Sequence, residues 1–250
     1  MEPVFGIVSW LPSDKTGHFK RFNRVKHTVD QLHSYWPTVD IMILAQDWTD
    51  EDNSKIHTIA PNVKVLNYPK LGILQARKTL RQEFLKTNYG WIIMGDDDMI
   101  ISVSREPSLE ANCKAFLDAV YAHPQGFGFV KCETGDGWYP QIPYKSATLN
   151  LAVVSRYIYE QEDMVPYNIE IGEGCEDVLF PYLLHVKYAQ FEFDLPKTIT
   201  HLQNDFNPNQ EPSTWVPTDN KEVEQLCQSL YHNNLQVMAY IDKYHDLPKH

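Results

Sequence analysis

Trp91-Ile92-Ile93-Met94-Gly95-Asp96-Asp97-Asp98 is the stretch that decides the fold. Four apolar residues in a row read as a short strand buried on both faces, the pattern of a sheet covered by helices. Three consecutive carboxylates follow at its carboxyl end. In an open α/β sheet, ligands bind in the crevice beyond the carboxyl ends of the strands. Carboxylates packed so closely repel one another, and a divalent cation relieves that repulsion. Hard oxygen ligands suit Mg²⁺ or Mn²⁺. Taken alone, the triplet would read equally well as a solvated acidic turn; the buried strand ahead of it favours the metal.

Upstream, apolar runs and helical spacing alternate. Val4-Phe5-Gly6-Ile7-Val8 predicts a strand ending near Pro12, and Asp40 to Ala45 and Lys64 to Leu66 predict two more. Between the first two, Phe22, Val25, Val29 and Leu32 recur at helical spacing from about Lys20 to Tyr35. A second helix is expected from about Gly72 to Lys86, with Leu74, Leu80, Phe84 and Leu85 buried. Strands alternating with helices predict βαβ units and a parallel sheet. Lys15, Lys20, Arg21, Arg24 and Lys26 form a basic cluster that reads as a solvated helix face.

Downstream, Gly172-Glu173-Gly174-Cys175-Glu176-Asp177 is a glycine-spaced acidic turn ahead of an apolar stretch. A helix starting there would carry Glu176 and Asp177 at its N-terminus, where anions are favoured, so capping explains the pair as readily as chemistry does. Lys197-Thr198-Ile199-Thr200-His201 ends an extended segment in an imidazole. A lone histidine is ordinarily structural, but a metal held by carboxylates commonly accepts one neutral imidazole. Phe206 to Pro217 holds three prolines and reads as a loop. A C-terminal helix is expected from about Asp219 to Tyr244, with Val223, Leu226, Leu230 and Leu235 facing the body.

Composition bounds the rest. A chain of 250 residues fits one domain, and 43% apolar with 22% charged residues excludes disorder, collagen and a long coiled coil. The net charge of −11 disfavours a broad grip on nucleic acid. Cys113, Cys132, Cys175 and Cys227 lack metal or disulfide spacing, so reduced thiols are expected. With no apolar run of about 20 residues and no signal-peptide pattern at the start, the expectation is a soluble, cytoplasmic protein without a membrane span.

In order and spacing, these motifs resemble those of the GT-A nucleotide-sugar glycosyltransferases, particularly the family-two-like enzymes. Phe5 to Trp10 resembles their first strand, and Ile43 to Asp50 their second strand with its acidic turn. Leu71-Gly72-Ile73-Leu74-Gln75-Ala76-Arg77 followed by Trp91 to Asp98 is similar to their G-x-x-x-A-R to D-x-D run. Glu176-Asp177 is similar to their E-D motif, and His201 stands where many members keep a late metal-binding histidine. The family usually has Asn where Lys78 stands, and often another Asp where Met99 stands. Gly135 to Pro140 is loosely similar to the aromatic loop of the β-galactosyltransferases.

The resemblance implies a Rossmann-like three-layer α/β sandwich with a mixed, mostly parallel sheet. It covers residues 1–205 as the catalytic domain, with 206–250 packing on it. It implies a UDP-sugar donor, with Asp47 at the nucleoside base, Arg77 at the base or diphosphate, and Asp96 and Asp97 at the donor. Asp96, Asp98 and His201 would hold Mn²⁺ or Mg²⁺. Asp177 would be the base of an inverting transfer and Glu176 would hold the acceptor. That acceptor is a glycan or another hydroxyl, a modified nucleobase in DNA included. Two other readings use the same carboxylates: a nucleotidyltransferase or phosphohydrolase, and a calcium-dependent sugar-binding module without catalysis.

Overall fold

A computed structural model describes residues 1–101, 103, 105, 107–130, 152–162, 184, 188, 190–193 and 199–201. Glu176, Asp177, Gly135 to Pro140, the loop from Phe206 and the C-terminal helix expected after Asp219 lie outside them.

Strand β1 (Pro3–Trp10) leads into helix α1 (Lys15–Tyr35), then β2 (Asp40–Gln46), α2 (Asp50–Ile59), β3 (Val63–Tyr68), α3 (Ile73–Leu85) and β4 (Trp91–Asp96). The short β5 (Met99–Ile101) follows the acidic turn. Then come α4 (Leu109–Tyr121), β6 (Phe127–Val130), β7 (Ala152–Ser155), α5 (Arg156–Gln161), β8 (Gln190–Phe193) and β9 (Ile199–His201). Among the described residues, seven strands form one sheet in the order β3-β2-β1-β4-β7-β6-β8, and β5 and β9 form a separate pair. Strands β3, β2, β1 and β4 run parallel; β7 opposes both β4 and β6, and β8 is parallel to β6. The expected mixed, mostly parallel sheet is borne out.

Because successive strand side chains point to opposite faces, the central strands feed two cores. Phe5, Ile7, Ile41, Ile43 and Ile93 pack on one face with Val25, Val29 and Leu32 of α1, Ile56 of α2 and Phe116 of α4. Val4, Met42, Leu44, Ile92 and Met94 pack on the other with Ala76, Leu80 and Phe84 of α3 and Tyr159 of α5. Helices on both faces give the three layers expected. Gly6 matters here: a Cβ at that position would lie 2.5 Å from Ile92 Cδ1 and 3.2 Å from Leu80 Cδ2. The missing side chain leaves the space those two residues fill.

Some expectations need correction. Helix α1 begins at Lys15, where Asp14 accepts a hydrogen bond from the Gly17 N–H and caps it, rather than near Lys20. Helix α2 occupies a segment read only as an acidic turn. Its apolar content is low, and what starts it is a capping box: Thr49 accepts from the Asp52 N–H while the Asp52 carboxylate accepts from the Thr49 N–H. In α3 the buried positions are Ala76, Thr79, Leu80 and Phe84, whereas Leu74 and Leu85 are only half-buried. No helix among the described residues is long and apolar enough to cross a membrane.

Candidate active site

Residue-by-residue pairing aligns Val8 with Asp96, Trp10 with Gln46, and Gln46 with Tyr68. The carboxyl ends of the four parallel strands therefore meet at one edge of the sheet. From β1 the chain winds outward through β2 to β3, then returns to place β4 on the other side of β1. That reversal makes the β1/β4 boundary a topological switch point, where an open α/β sheet leaves a ligand crevice. Asp96 ends β4 at this boundary, and Asp97 and Asp98 form the turn into β5.

Two arginines converge on the acidic turn from opposite faces of the sheet. Arg77 of α3 donates from Nη2 to Asp96 Oδ1 at 3.2 Å, and Arg21 of α1 donates from Nη2 to Asp97 Oδ1 at 3.2 Å. Asp97 and Asp98 are buried, 3% and 5% exposed, while Asp96 is partly open. Burial pushes the Asp97 carboxyl above the ordinary carboxylate range; the Arg21 guanidinium pulls it back, and Asp98 and Asp96 push it further up. Arg21 in turn is held more firmly protonated, chiefly by Asp97 and despite its own burial. The hydroxyl of Ser9 faces the same carboxylate and eases its charge. Among the described residues, neither Ser9 Oγ nor Asp97 Oδ2 completes a hydrogen bond, although both are buried. Turn and β5 are also tied to α1 through their backbone, because Thr28 Oγ1 lies 3.2 Å from the carbonyls of both Asp97 and Met99.

At the end of β2, Asp47 stands exposed with φ at 59°, a left-handed conformation that aspartate tolerates better than most residues. Its carboxylate accepts from the Trp10 indole N–H at 3.0 Å and from the Lys70 N–H at 3.2 Å. The Lys70 ammonium sits 3.9 Å from the centre of the Trp10 ring, a cation–π contact. Beside it, Gln46 Oε1 accepts from the Leu71 N–H at 2.7 Å. These bonds steer the chain into Gly72, whose φ of 79° and ψ of 159° suit only glycine, and so into α3 with Arg77.

The structure thus brings Asp47, Arg77, Asp96, Asp97 and Asp98 to one edge of the sheet. His201 closes β9, where it is the pairing partner of Met99, the residue after Asp98. Among the described residues, no three His, Cys, Asp or Glu side chains converge as a cation cage. The hard carboxylate oxygens of Asp96 and Asp98 nevertheless fit a divalent cation in kind. One expectation is overturned. Arg21 does not belong to a solvated helix face, because its half-buried side chain is committed to Asp97, whereas Lys15 and Lys20 are exposed as expected. The signal for it was available: Arg21 lies four and seven residues before Val25 and Thr28, on the buried face of the same helix.

Comparison of the sequence with protein-family profiles and with curated proteins finds no match. Comparison of the fold with solved structures does. S. aureus TarS 1–349 in complex with UDP superposes with a TM-score of 0.53 over 98% of this chain and 72% of that one, at 13% identity. Glucosyl-3-phosphoglycerate synthase from Mycobacterium tuberculosis, in complex with Mn²⁺, UDP and glucosyl-3-phosphoglycerate, gives 0.55 over 95% of this chain and 80% of that one, at 11% identity. This chain has the GT-A fold. It spans 44% of S. aureus TarS in the longer form of that protein, at a TM-score of 0.50 and 14% identity. In this GT-A chain, the switch point between β1 and β4 is where the triple carboxylate stands.

Proposed function

We propose that the protein is a glycosyltransferase that moves a sugar from a nucleotide-sugar donor, a UDP-sugar, to an acceptor hydroxyl. The observation that carries this reading is the acidic turn Asp96–Asp98 at the switch point of a GT-A sheet, with Arg77 bonded to its first carboxylate. Two proteins of the same fold support the donor class: the TarS structure holds UDP, and the M. tuberculosis synthase holds UDP with Mn²⁺.

Each residue has a separate task. Asp47, held in place by Trp10 and Lys70, meets the nucleoside base beyond β2. Asp96 and Asp97 border the donor, and Arg77 offers its guanidinium to the diphosphate. Asp96 and Asp98, with His201, would hold Mn²⁺ or Mg²⁺. The cation supplies charge neutralisation for the departing nucleoside diphosphate. The acceptor oxygen attacks the anomeric carbon as the carbon–oxygen bond to the diphosphate breaks. Asp177 takes the acceptor proton and Glu176 holds the acceptor, giving a single displacement with inversion. The acceptor class is a glycan or another hydroxyl-bearing molecule.

The test is thermal melting with UDP, GDP, CDP and ADP, each with Mn²⁺ and with a chelator. A nucleotide at about one hundred times its dissociation constant stabilises by about 2.7 kcal/mol. For a chain of this length that is a rise in Tm of roughly 5–10 °C. The expected result is a UDP shift that disappears with chelator, followed by release of intact UDP in the presence of a UDP-sugar and an acceptor. Release of pyrophosphate or phosphate would assign the site to phosphoryl chemistry instead. No shift with any nucleotide would overturn the donor site.

A further inference from the structure

Helix α1 grips the acidic turn along a single stripe. Arg21, Thr28, Gln31 and Tyr35 follow one another at intervals of seven, three and four residues, so they share one face. Each reaches the turn or the strand that follows it. Arg21 holds the Asp97 carboxylate at 3.2 Å. Thr28 Oγ1 lies 3.2 Å from the carbonyls of Asp97 and Met99. Gln31 bonds the Ile101 backbone twice, accepting from its N–H at 3.0 Å and donating to its carbonyl at 3.3 Å, and Tyr35 donates to that carbonyl at 3.0 Å. A strand of three residues needs this support, because two-stranded pairing alone is marginal in water. The gripped strand β5 pairs antiparallel with β9, matching Met99 with His201.

We propose that this stripe is the positioning element of the cation site. The stripe fixes Asp97, the residue between Asp96 and Asp98, by its carboxylate and its carbonyl, and by fixing β5 it fixes the strand with which the His201 backbone pairs. Thr28, Gln31 and Arg21 are positioning residues; none of them is required to touch the donor. The inference rests on the reading of Asp96, Asp98 and His201 as the cation's holders.

The test compares Thr28→Val with Thr28→Ser in the full chain, reading Mn²⁺ binding directly by titration in the presence of UDP, without acceptor. Outer-shell partners of metal ligands typically contribute 10–100-fold in metal affinity. Thr28→Val removes the hydroxyl at nearly constant shape, so its Mn²⁺ affinity should fall about tenfold or more at a temperature where it is fully folded. Thr28→Ser, which keeps the hydroxyl, should bind as the wild type does. Gln31→Leu provides a second measurement farther from the carboxylates, with the same direction expected, should Thr28→Val fail to fold. Wild-type Mn²⁺ affinity in a folded variant, with only Tm lowered, would overturn the proposal and leave the donor site standing. A wild-type chain that binds UDP without Mn²⁺ would remove the cation's holders, and this proposal with them.

Discussion

Asp97 and Asp98 sit next to each other, are both buried, and answer to different demands. Asp97 is paired within the chain with Arg21, so the Arg21–Asp97 pair is a structural device set inside the acidic turn. Removing one member of a buried pair leaves the other charge stranded, which is worse than removing the charge itself. Arg21→Ala is therefore expected to lower stability by about 3 kcal/mol, toward the low end for buried pairs because the guanidinium is partly open to water. Asp97→Asn should cost clearly less, because the amide oxygen can still accept from Arg21, and the guanidinium it leaves is partly open to water and still faces Asp98 and Asp96. Urea unfolding of the two variants checks the order, and equal losses would contradict it. Asp98→Ala is expected to keep the circular-dichroism spectrum of the wild type while losing the Mn²⁺-dependent UDP shift. Retention of full transferase activity in that variant would remove Asp98 from the site. At this scale the sequence was readable where chemistry is concentrated: three carboxylates after an apolar strand announce themselves. For Arg21 the helical spacing marked the buried face but not the partner, because Asp97 lies 76 residues away.

The elements owe their positions to local rules that the sequence states with unequal force. Phe22, Val25, Val29 and Leu32 made α1 legible because apolar spacing is its signal, and all four are buried. Helix α2 has few apolar residues and depends on its first turn. Thr49→Ala removes the half of the capping box that the hydroxyl makes, together with the hydroxyl's own bond to the Asp52 carboxylate, and should cost about 1 kcal/mol by urea unfolding. The other half of that box carries a pH signature. Burial works to raise the Asp52 pKa, but bonds from the Thr49 hydroxyl and N–H and from His18 outweigh it and hold the carboxyl below its ordinary value of 3.8. A group whose pKa is depressed by folding stabilises the native state when ionised. The contribution is full at pH well above 3.8 and is lost as the pH falls through the lower folded-state value. Asp52→Asn should flatten the acid limb of a Tm-against-pH curve in that window; an unchanged limb would show that Asp52 carries none of it. Because His18 on α1 bonds Asp52 at 3.0 Å, the same carboxylate joins the first two helices.

Over the whole molecule, the parallel half of the sheet was legible and the antiparallel half was not. Apolar runs separated by helices of suitable length dictate β1 to β4, since a parallel neighbour needs a crossover connection. The direction of β7 depends on its pairing with β4 and β6, and Ala152-Val153-Val154-Ser155 carries no directional mark. The acceptor half of the proposed reaction is likewise assigned by resemblance alone, through Glu176 and Asp177. Asp177→Asn is expected to bind UDP as tightly as the wild type yet transfer sugar at least about a hundredfold more slowly, the ordinary contribution of a general base. Undiminished turnover would move that role elsewhere.

The reversed strand has a further consequence. Strand β6 runs the same way as β4 and ends at Val130, while β7 runs the other way and begins at Ala152, paired with Met94 two residues before Asp96. The chain therefore departs for residues 131–151 and comes back at the same rim that carries the triple carboxylate. Both anchor points are set by backbone ladders that do not depend on what the excursion contains. A scaffold wired in this way works as a socket. The residues between its two anchors can be changed, by selection or by an engineer, while the rim that carries the triple carboxylate keeps its wiring.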